Sequence, residues 1–379
     1  MKKSALPLSL LRQTSTAAVL TALLCTSLHV QASKKNVASA PAARSYAQNE
    51  DAMQMASDIA QRRNIPLAWV QATLAEARFL PQVPRLMTPP GKRIVRNYTV
   101  YRSRFVEPIR IRAGQRFWQE NQATLERAER QFGVPAEIIV GIIGVETIYG
   151  QQMGNMRVLD ALATLSFDFP AAHPKAASRN AYFRGELEQF LVMNYNSGVD
   201  PSSVRGSYAG AMGLGQFMPT SWGQWAVDFD GDGRIDLFRS TADAIGSVAN
   251  YFVAHGWKPG MPAFYPVQVP ADETALRTLL APDINPTFSA AQMLSAGTRL
   301  LDGGDKHNGP LALVEFPNGS NGPPFYLAGT ENFYAVTRYN WSSFYALSVL
   351  ELGAEVKAAY LAQARSNNAQ TVQNRAVAP

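Results

Sequence analysis

Glu146 is the one charged residue in the run Ile138-Ile-Val-Gly-Ile-Ile-Gly-Val-Glu-Thr-Ile-Tyr-Gly150. An apolar stretch of that length belongs in a protein interior. A carboxylate placed there must be paired, hydrogen-bonded or protonated. Desolvation favours the neutral acid, so the pKa of Glu146 is expected to rise. A carboxyl group that stays protonated near neutral pH is a general acid, the kind used to cleave glycosidic bonds. The competing reading is a buried structural glutamate tied to an arginine or to backbone amides.

A second segment has a different chemistry. Ser207-Tyr-Ala-Gly-Ala-Met-Gly-Leu-Gly-Gln-Phe-Met-Pro-Thr220 combines three glycines with polar and apolar side chains. Gly210, Gly213 and Gly215 allow close backbone approach to a ligand or left-handed backbone angles. Ser207 and Gln216 offer uncharged hydrogen bonds, while Met212, Phe217 and Met218 offer apolar contact. Sugars need both kinds of surface. A tight helix–helix connection would use the same glycines.

The third constellation is Asp228-Phe-Asp230-Gly-Asp232-Gly-Arg234-Ile-Asp236. It reads as the first half of an EF-hand calcium loop, with carboxylates at positions one, three and five, and a backbone carbonyl at seven from Arg234. Position twelve is Arg239, so the usual closing glutamate is missing. Three carboxylates in one turn repel without a cation. A structural Ca²⁺ is the reading for this segment, against a solvated acidic turn. Hard oxygen ligands suit a structural ion better than a redox one.

Taken together, Glu146-Thr-Ile-Tyr-Gly150, Gly210-Ala-Met-Gly-Leu-Gly-Gln-Phe-Met-Pro219 and Asn332-Phe-Tyr-Ala-Val-Thr-Arg-Tyr-Asn340 resemble the signatures of the lytic murein transglycosylases, B type. The resemblance runs from about residue 50 to 360. It implies a lysozyme-like fold acting on peptidoglycan glycan strands, at the β-1,4 bond between N-acetylmuramic acid and N-acetylglucosamine. It implies one catalytic glutamate, Glu146, acting as acid and then as base, and products ending in 1,6-anhydromuramic acid. That is a substrate-assisted exception to the usual pair of carboxylates. Tyr101, Arg179, Ser207, Gln216, Tyr251, Tyr339, Asn340 and Tyr345 match the family's cleft positions. In the family's longer metal loop the closing ligand falls on Asp243. Asp160 and Asp168 stay open as second carboxylates, which would suit a hydrolytic muramidase. An inactive peptidoglycan-binding scaffold is the reading from another class. Cell-wall synthesis enzymes are possible partners.

The elements that must position these groups are mainly helical. Helices are expected over 49–75, split by Pro66, over 110–131, and from Pro135 through Glu146. Others are expected at about 181–195, 218–226, 241–255 and 343–365. Residues 260–330, rich in proline, glycine and short Val/Phe/Tyr runs, read as a small β-containing insertion. The fold class is therefore mainly α (α+β), a lysozyme-like core with an additional helical lobe. Residues 49–365 form that body, between a flexible linker at 33–48 and a disordered tail at 366–379.

Residues 1–32 read as a secretory signal. Lys2, Lys3 and Arg12 precede the apolar stretch 16–28, and Val30-Gln-Ala32 offers a cleavage site. This predicts a periplasmic protein. The alternative is an outer-membrane lipoprotein acylated at Cys25, the sole cysteine, and membrane contact is expected only in that case. Cleavage after Ala32 leaves no thiol for disulfides or metal. The formal net charge of +6 suits an anionic partner, but no dense basic cluster or nucleic-acid motif is present, so nucleic acid is not expected. His173, His255 and His307 lack triad or metal spacing, which argues against a Ser/His/Asp hydrolase.

Overall fold

The computed structural model describes residues 44–89 and 95–377. The expected signal, with Cys25, and residues 33–43 of the expected linker lie outside them. The N-terminal lobe begins with α1 (Glu50–Arg63) and α2 (Leu67–Glu76), split at Pro66 as expected, then α3 (Gln82–Met87). Next come α4 (Tyr98–Arg102), α5 (Pro108–Glu120), α6 (Gln122–Phe132) and α7 (Ala136–Thr147), the helix that ends at Glu146 and Thr147. Strand β1 (Met156–Arg157), α8 (Val158–Phe167), α9 (Ala176–Ser197), β2 (Arg205–Gly206), α10 (Pro219–Trp225) and α11 (Thr241–Ala254) follow.

The expected β-containing insertion is a four-stranded antiparallel sheet ordered β4-β3-β6-β5. Its elements are β3 (Phe264–Gln268), α12 (Glu273–Leu280), α13 (Ala290–Ser295), β4 (Arg299–Leu300), β5 (Ala312–Phe316) and β6 (Phe325–Gly329). The chain closes with α14 (Glu331–Asn340) and α15 (Ser343–Val377). Buried side chains form three clusters. One is central, around α5, α7, α11 and α15. One unites α1 and α2 with α8 and α9. The third lies under the sheet.

Three expectations are corrected. The linker does not extend to residue 48. Ser45 bridges to Arg78, and Tyr46 is 1% exposed with its hydroxyl donating to Asp168 at 2.6 Å. A buried aromatic ring anchors this stretch despite its small polar neighbours. The helix expected over 110–131 is two helices, broken at Asn121, where φ is −118° and ψ 18°. Asn121 Nδ2 donates to the Phe117 carbonyl, one of the local side-chain bonds with which asparagine competes against a helix. The tail expected to be disordered from 366 continues α15 to Val377. No proline or glycine occurs between Ser366 and Val377, so nothing interrupts the hydrogen-bond ladder.

The position of Glu146 is set by how closely α7 and α15 approach. They run antiparallel. A Cβ on Gly141 would lie 2.3 Å from the Val349 carbonyl oxygen, and one on Gly353 would lie 2.1 Å from that of Glu137. Only glycine permits that approach. Gly353→Ala should force the helices apart and destabilise the protein by about 1–3 kcal/mol, as overpacking does. Thermal unfolding followed by circular dichroism should show a lower midpoint; an unchanged midpoint would mean that the pair tolerates wider spacing.

Candidate active site

Glu146 occupies the last turn of α7 and is half-buried. The chain then turns sharply. Ile148 and Tyr149 both take positive φ, 50° and 55°, a conformation that costs energy in non-glycine residues. Burial pushes the Glu146 carboxyl up to about 7, opposed by one hydrogen bond from Tyr345 that favours the anion. The Tyr345 hydroxyl donates to Glu146 Oε1 at 2.5 Å. Glu146 therefore stays a proton donor near neutrality, with one oxygen fixed and the other available to carry the proton.

Tyrosines surround this acid. Tyr345, on α15, is 2% exposed and its ring is stacked with that of Tyr339 at 6.4 Å. Tyr251, on α11, tilts against Tyr339 at 4.7 Å and donates its hydroxyl to the Arg338 carbonyl. Tyr101, on α4, packs edge-on to Phe344. All four phenols have raised pKa values. Burial is the largest cause in each, and the Glu146 charge adds to it. They stay neutral hydroxyls. Four expected site residues thus gather around Glu146.

The glycine-rich segment is held against α7. Thr147 Oγ1 donates to the Leu214 carbonyl at 2.8 Å, and the Tyr339 hydroxyl donates to that of Gly215 at 2.6 Å. The Leu214 N–H donates to the Leu237 carbonyl. A Cβ on Gly213, whose φ is +72°, would lie 2.6 Å from that same carbonyl oxygen. Thr147 is a positioning residue that the sequence reading missed, although it adjoins Glu146 in the motif. Gln216, with φ 51°, uses both amide protons internally, on the carbonyls of Met153 and Gly213. Its carbonyl oxygen is what it has left for a ligand. Ser207 Oγ accepts from the Ala209 and Ala211 N–H groups, so it too shapes its own loop.

Asn340 closes α14, and its Oδ1 is buried without a hydrogen-bond partner among the described residues. Arg179, on α9, lies over the rings of Tyr182 and Phe183. Neither open second carboxylate pairs with Glu146. Asp160 accepts from the Arg78 N–H, and Asp168 is held by Arg44 and Tyr46.

In the acidic loop, Asp228, Asp230 and Asp232 bring carboxylate oxygens within 4.8 Å of one another at an exposed turn. This all-oxygen set fits a hard divalent cation. Arg234 lies in the same turn, its N–H donating to Asp232 Oδ1. Asp243 is not gathered with the three. It is 1% exposed, and its carboxylate accepts the N–H groups of Phe229, Asp230 and Asp236. It braces the loop from inside.

Removing the Thr147 hydroxyl tests the grip on the glycine-rich segment. Thr147→Val should cost about 1–3 kcal/mol of stability, the penalty for buried groups left without partners. It should also lower turnover, since Leu214 loses its anchor to the Glu146 helix. Normal stability and turnover in that variant would leave Thr147 without a positioning role.

A family model described as Transglycosylase SLT domain matches residues 47–354. Membrane-bound lytic murein transglycosylase B of Escherichia coli is 40% identical over 324 residues, covering 82% of this chain and 84% of that protein. Among solved structures, the E. coli lytic transglycosylase SLT35 in complex with calcium is similar with a TM-score of 0.73 at 40% identity, covering 83% of this chain and 95% of that one. SltB3 from Pseudomonas aeruginosa in complex with NAG-anhNAM-pentapeptide is similar with a TM-score of 0.65 at 28% identity, covering 80% and 79%. With its glutamate at the end of an apolar helix and its lysozyme-like helical core, the chain belongs to the SLT transglycosylase family, the peptidoglycan-cleaving lytic transglycosylases.

Proposed function

We propose that Glu146 carries out the whole reaction as acid and then as base. The observation that supports this is the company Glu146 keeps: one phenol hydrogen bond and a wall of neutral tyrosines, with no carboxylate among its electrostatic partners in the described residues. Its proton goes to the leaving glycosidic oxygen. The muramic acetamido group stabilises the developing cation at the anomeric carbon. Glu146, now ionised and held by Tyr345, accepts the proton of the muramic C6 hydroxyl as that oxygen closes the 1,6-anhydro ring. Water is not consumed, and the nucleophile has the advantage of intramolecularity. The SltB3 complex with an anhydro-muropeptide supports this product class.

In this reading Tyr101, Tyr251, Tyr339 and Tyr345 line the sugar path. Ser207, the Gln216 carbonyl and Asn340 Oδ1 meet sugar hydroxyl or amide groups, and Arg179 meets a carboxylate of the substrate. The acidic loop holds a structural Ca²⁺ through Asp228, Asp230, Asp232 and the Arg234 carbonyl, with Asp243 closing the loop. Support comes from the crowded oxygens and from the calcium complex of SLT35. Residues 1–32 direct the chain to the periplasm, or Cys25 anchors it to a membrane, as the membrane-bound relative suggests. No helix among the described residues is long and apolar enough to cross a membrane.

Mass spectrometry of the products from purified sacculi tests the chemistry. Anhydro-ended muropeptides are expected, one water lighter than hydrolysis products; reducing ends would make the enzyme a muramidase. Glu146→Gln should abolish turnover. The wild-type rate should fall as pH rises through about 7, because the acid is then lost. Tyr345→Phe should move that limb upward, since the hydrogen bond it removes lowers the pKa. Stability has the same sign. A raised carboxyl pKa contributes stability that is complete below the unfolded value and lost as pH rises through the folded one. Glu146→Gln should therefore gain in melting temperature relative to wild type between pH 5 and 8. A constant difference across that range would mean that Glu146 is not desolvated in the folded protein.

Calcium should raise the melting temperature of metal-stripped protein. The gain is about 2.7 kcal/mol at one-hundred-fold excess over the dissociation constant. Asp232→Ala should remove the response. Asp243→Ala should lower the melting temperature even without calcium, because three backbone N–H groups lose their acceptor. Identical melting with and without calcium would eliminate the metal site.

A further inference from the structure

Away from Glu146, a groove crosses the junction between the N-terminal lobe and α9. One end is a hollow of about 620 Å³ lined by Ser45, Glu76, Arg78, Arg157, Ser202 and Arg205. The other, of about 420 Å³, is lined by Trp69, Thr73, Glu76, Tyr195, Val199 and Asp200. Glu76 lines both, and Asp200 and Ser202 are two residues apart, so the two hollows adjoin.

Three arginines, Arg78, Arg157 and Arg205, line one end. Arg157 and Arg205 are directly opposed in the β1–β2 pair, a placement in which like charges repel. Arg157 meets Asp160 only at 3.7 Å, and its buried Nε has no acceptor among the described residues. Arg205 donates to the Ser202 carbonyl. Glu76 also lines this hollow, and the two other nearby acids are already engaged. Asp160 is 5% exposed and accepts the Arg78 N–H, and Asp200 accepts from the Ser202 N–H and hydroxyl. The other end is aromatic. Trp69 and Tyr195 meet edge-on at 5.0 Å, and Tyr195, Val199 and nearby Leu67 are among the exposed large hydrophobic residues.

We propose that this groove is a second, non-catalytic binding site for a carboxylate-bearing glycan, with Trp69 and Tyr195 against a sugar face and the arginines on its carboxylates. Aromatic rings suit the apolar faces of sugars, and guanidinium groups bind carboxylates by paired, charge-assisted hydrogen bonds. The proposal rests on the peptidoglycan reading, whose strands carry both features. β2 leads directly into Ser207, so a strand held here lies beside the start of the glycine-rich segment. The site anchors the enzyme on insoluble polymer while Glu146 works on another strand or another stretch.

The test is co-sedimentation of the full chain with purified sacculi, in the Glu146→Gln background so that binding proceeds without cleavage. Adding Arg78→Gln and Arg205→Gln should weaken binding roughly tenfold. Tyr195→Ala, at the other end, should weaken it independently. In the otherwise wild-type chain the same substitutions should slow digestion of sacculi yet leave turnover of short soluble glycan oligomers unchanged. Sacculi stripped of stem peptides assign the carboxylates: retained binding points to lactyl groups, lost binding to the peptide. Three results would overturn the proposal: undiminished sedimentation of both variants, an equal loss of short-oligomer turnover, or equally tight binding of an uncharged chitin glycan. Failure of the wild type to release anhydro products would count against the catalytic reading alone, because sedimentation does not depend on turnover.

Discussion

The antiparallel contact between α7 and α15 is the constraint on which the rest of this structure depends. Val349 and Gly353 on α15 lie four residues apart, as do Gly141 and Glu137 on α7, and each backbone meets the other through a glycine. Four residues before Val349 on α15 lies Tyr345, against Glu146. The same i, i+4 ridge that packs the helices therefore delivers the phenol to the acid. A side chain at Gly141 or Gly353 would widen that spacing and lengthen the Tyr345–Glu146 hydrogen bond.

The acid works through two opposing effects. Desolvation raises its pKa, and the Tyr345 hydroxyl pulls it back. In the proposed mechanism the acid must later act as a base and so needs both effects, because a group too stable as either neutral acid or anion performs only one step well. Tyrosines serve this balance better than charged neighbours. They exclude water and offer hydrogen bonds without adding a fixed charge that would lock the carboxyl in one state.

The glycine-rich segment belongs to the same device. Thr147 and Tyr339 hold consecutive carbonyls, those of Leu214 and Gly215, while Leu237 holds the Leu214 N–H. Leu237 directly follows Asp236, whose N–H is bound by Asp243. The acidic loop thus reaches the glycine-rich segment through the residue that follows it, Leu237. A cation bound there would act on the site through position, by keeping Leu237 in place.

The sequence alone determined much of this. One carboxylate in a long apolar run requires burial, and burial raises its pKa. Proline at 66 and 135 set helix starts, and the alternation of glycine with aspartate between 228 and 236 marked an oxygen-rich turn. Other features were not legible locally. Asn121 breaks a helix whose apolar periodicity continues through it, and Tyr46 is anchored by a partner more than a hundred residues away. The family resemblance put the closing metal ligand on Asp243, yet its oxygens accept from the backbone of the loop. Tertiary structure decided these cases because each depends on groups distant in sequence. Which tyrosines meet Glu146, which glycines let helices touch, and which arginines stand opposed across β1 and β2 are set by the approach of whole elements, and a local pattern carries no record of that distance.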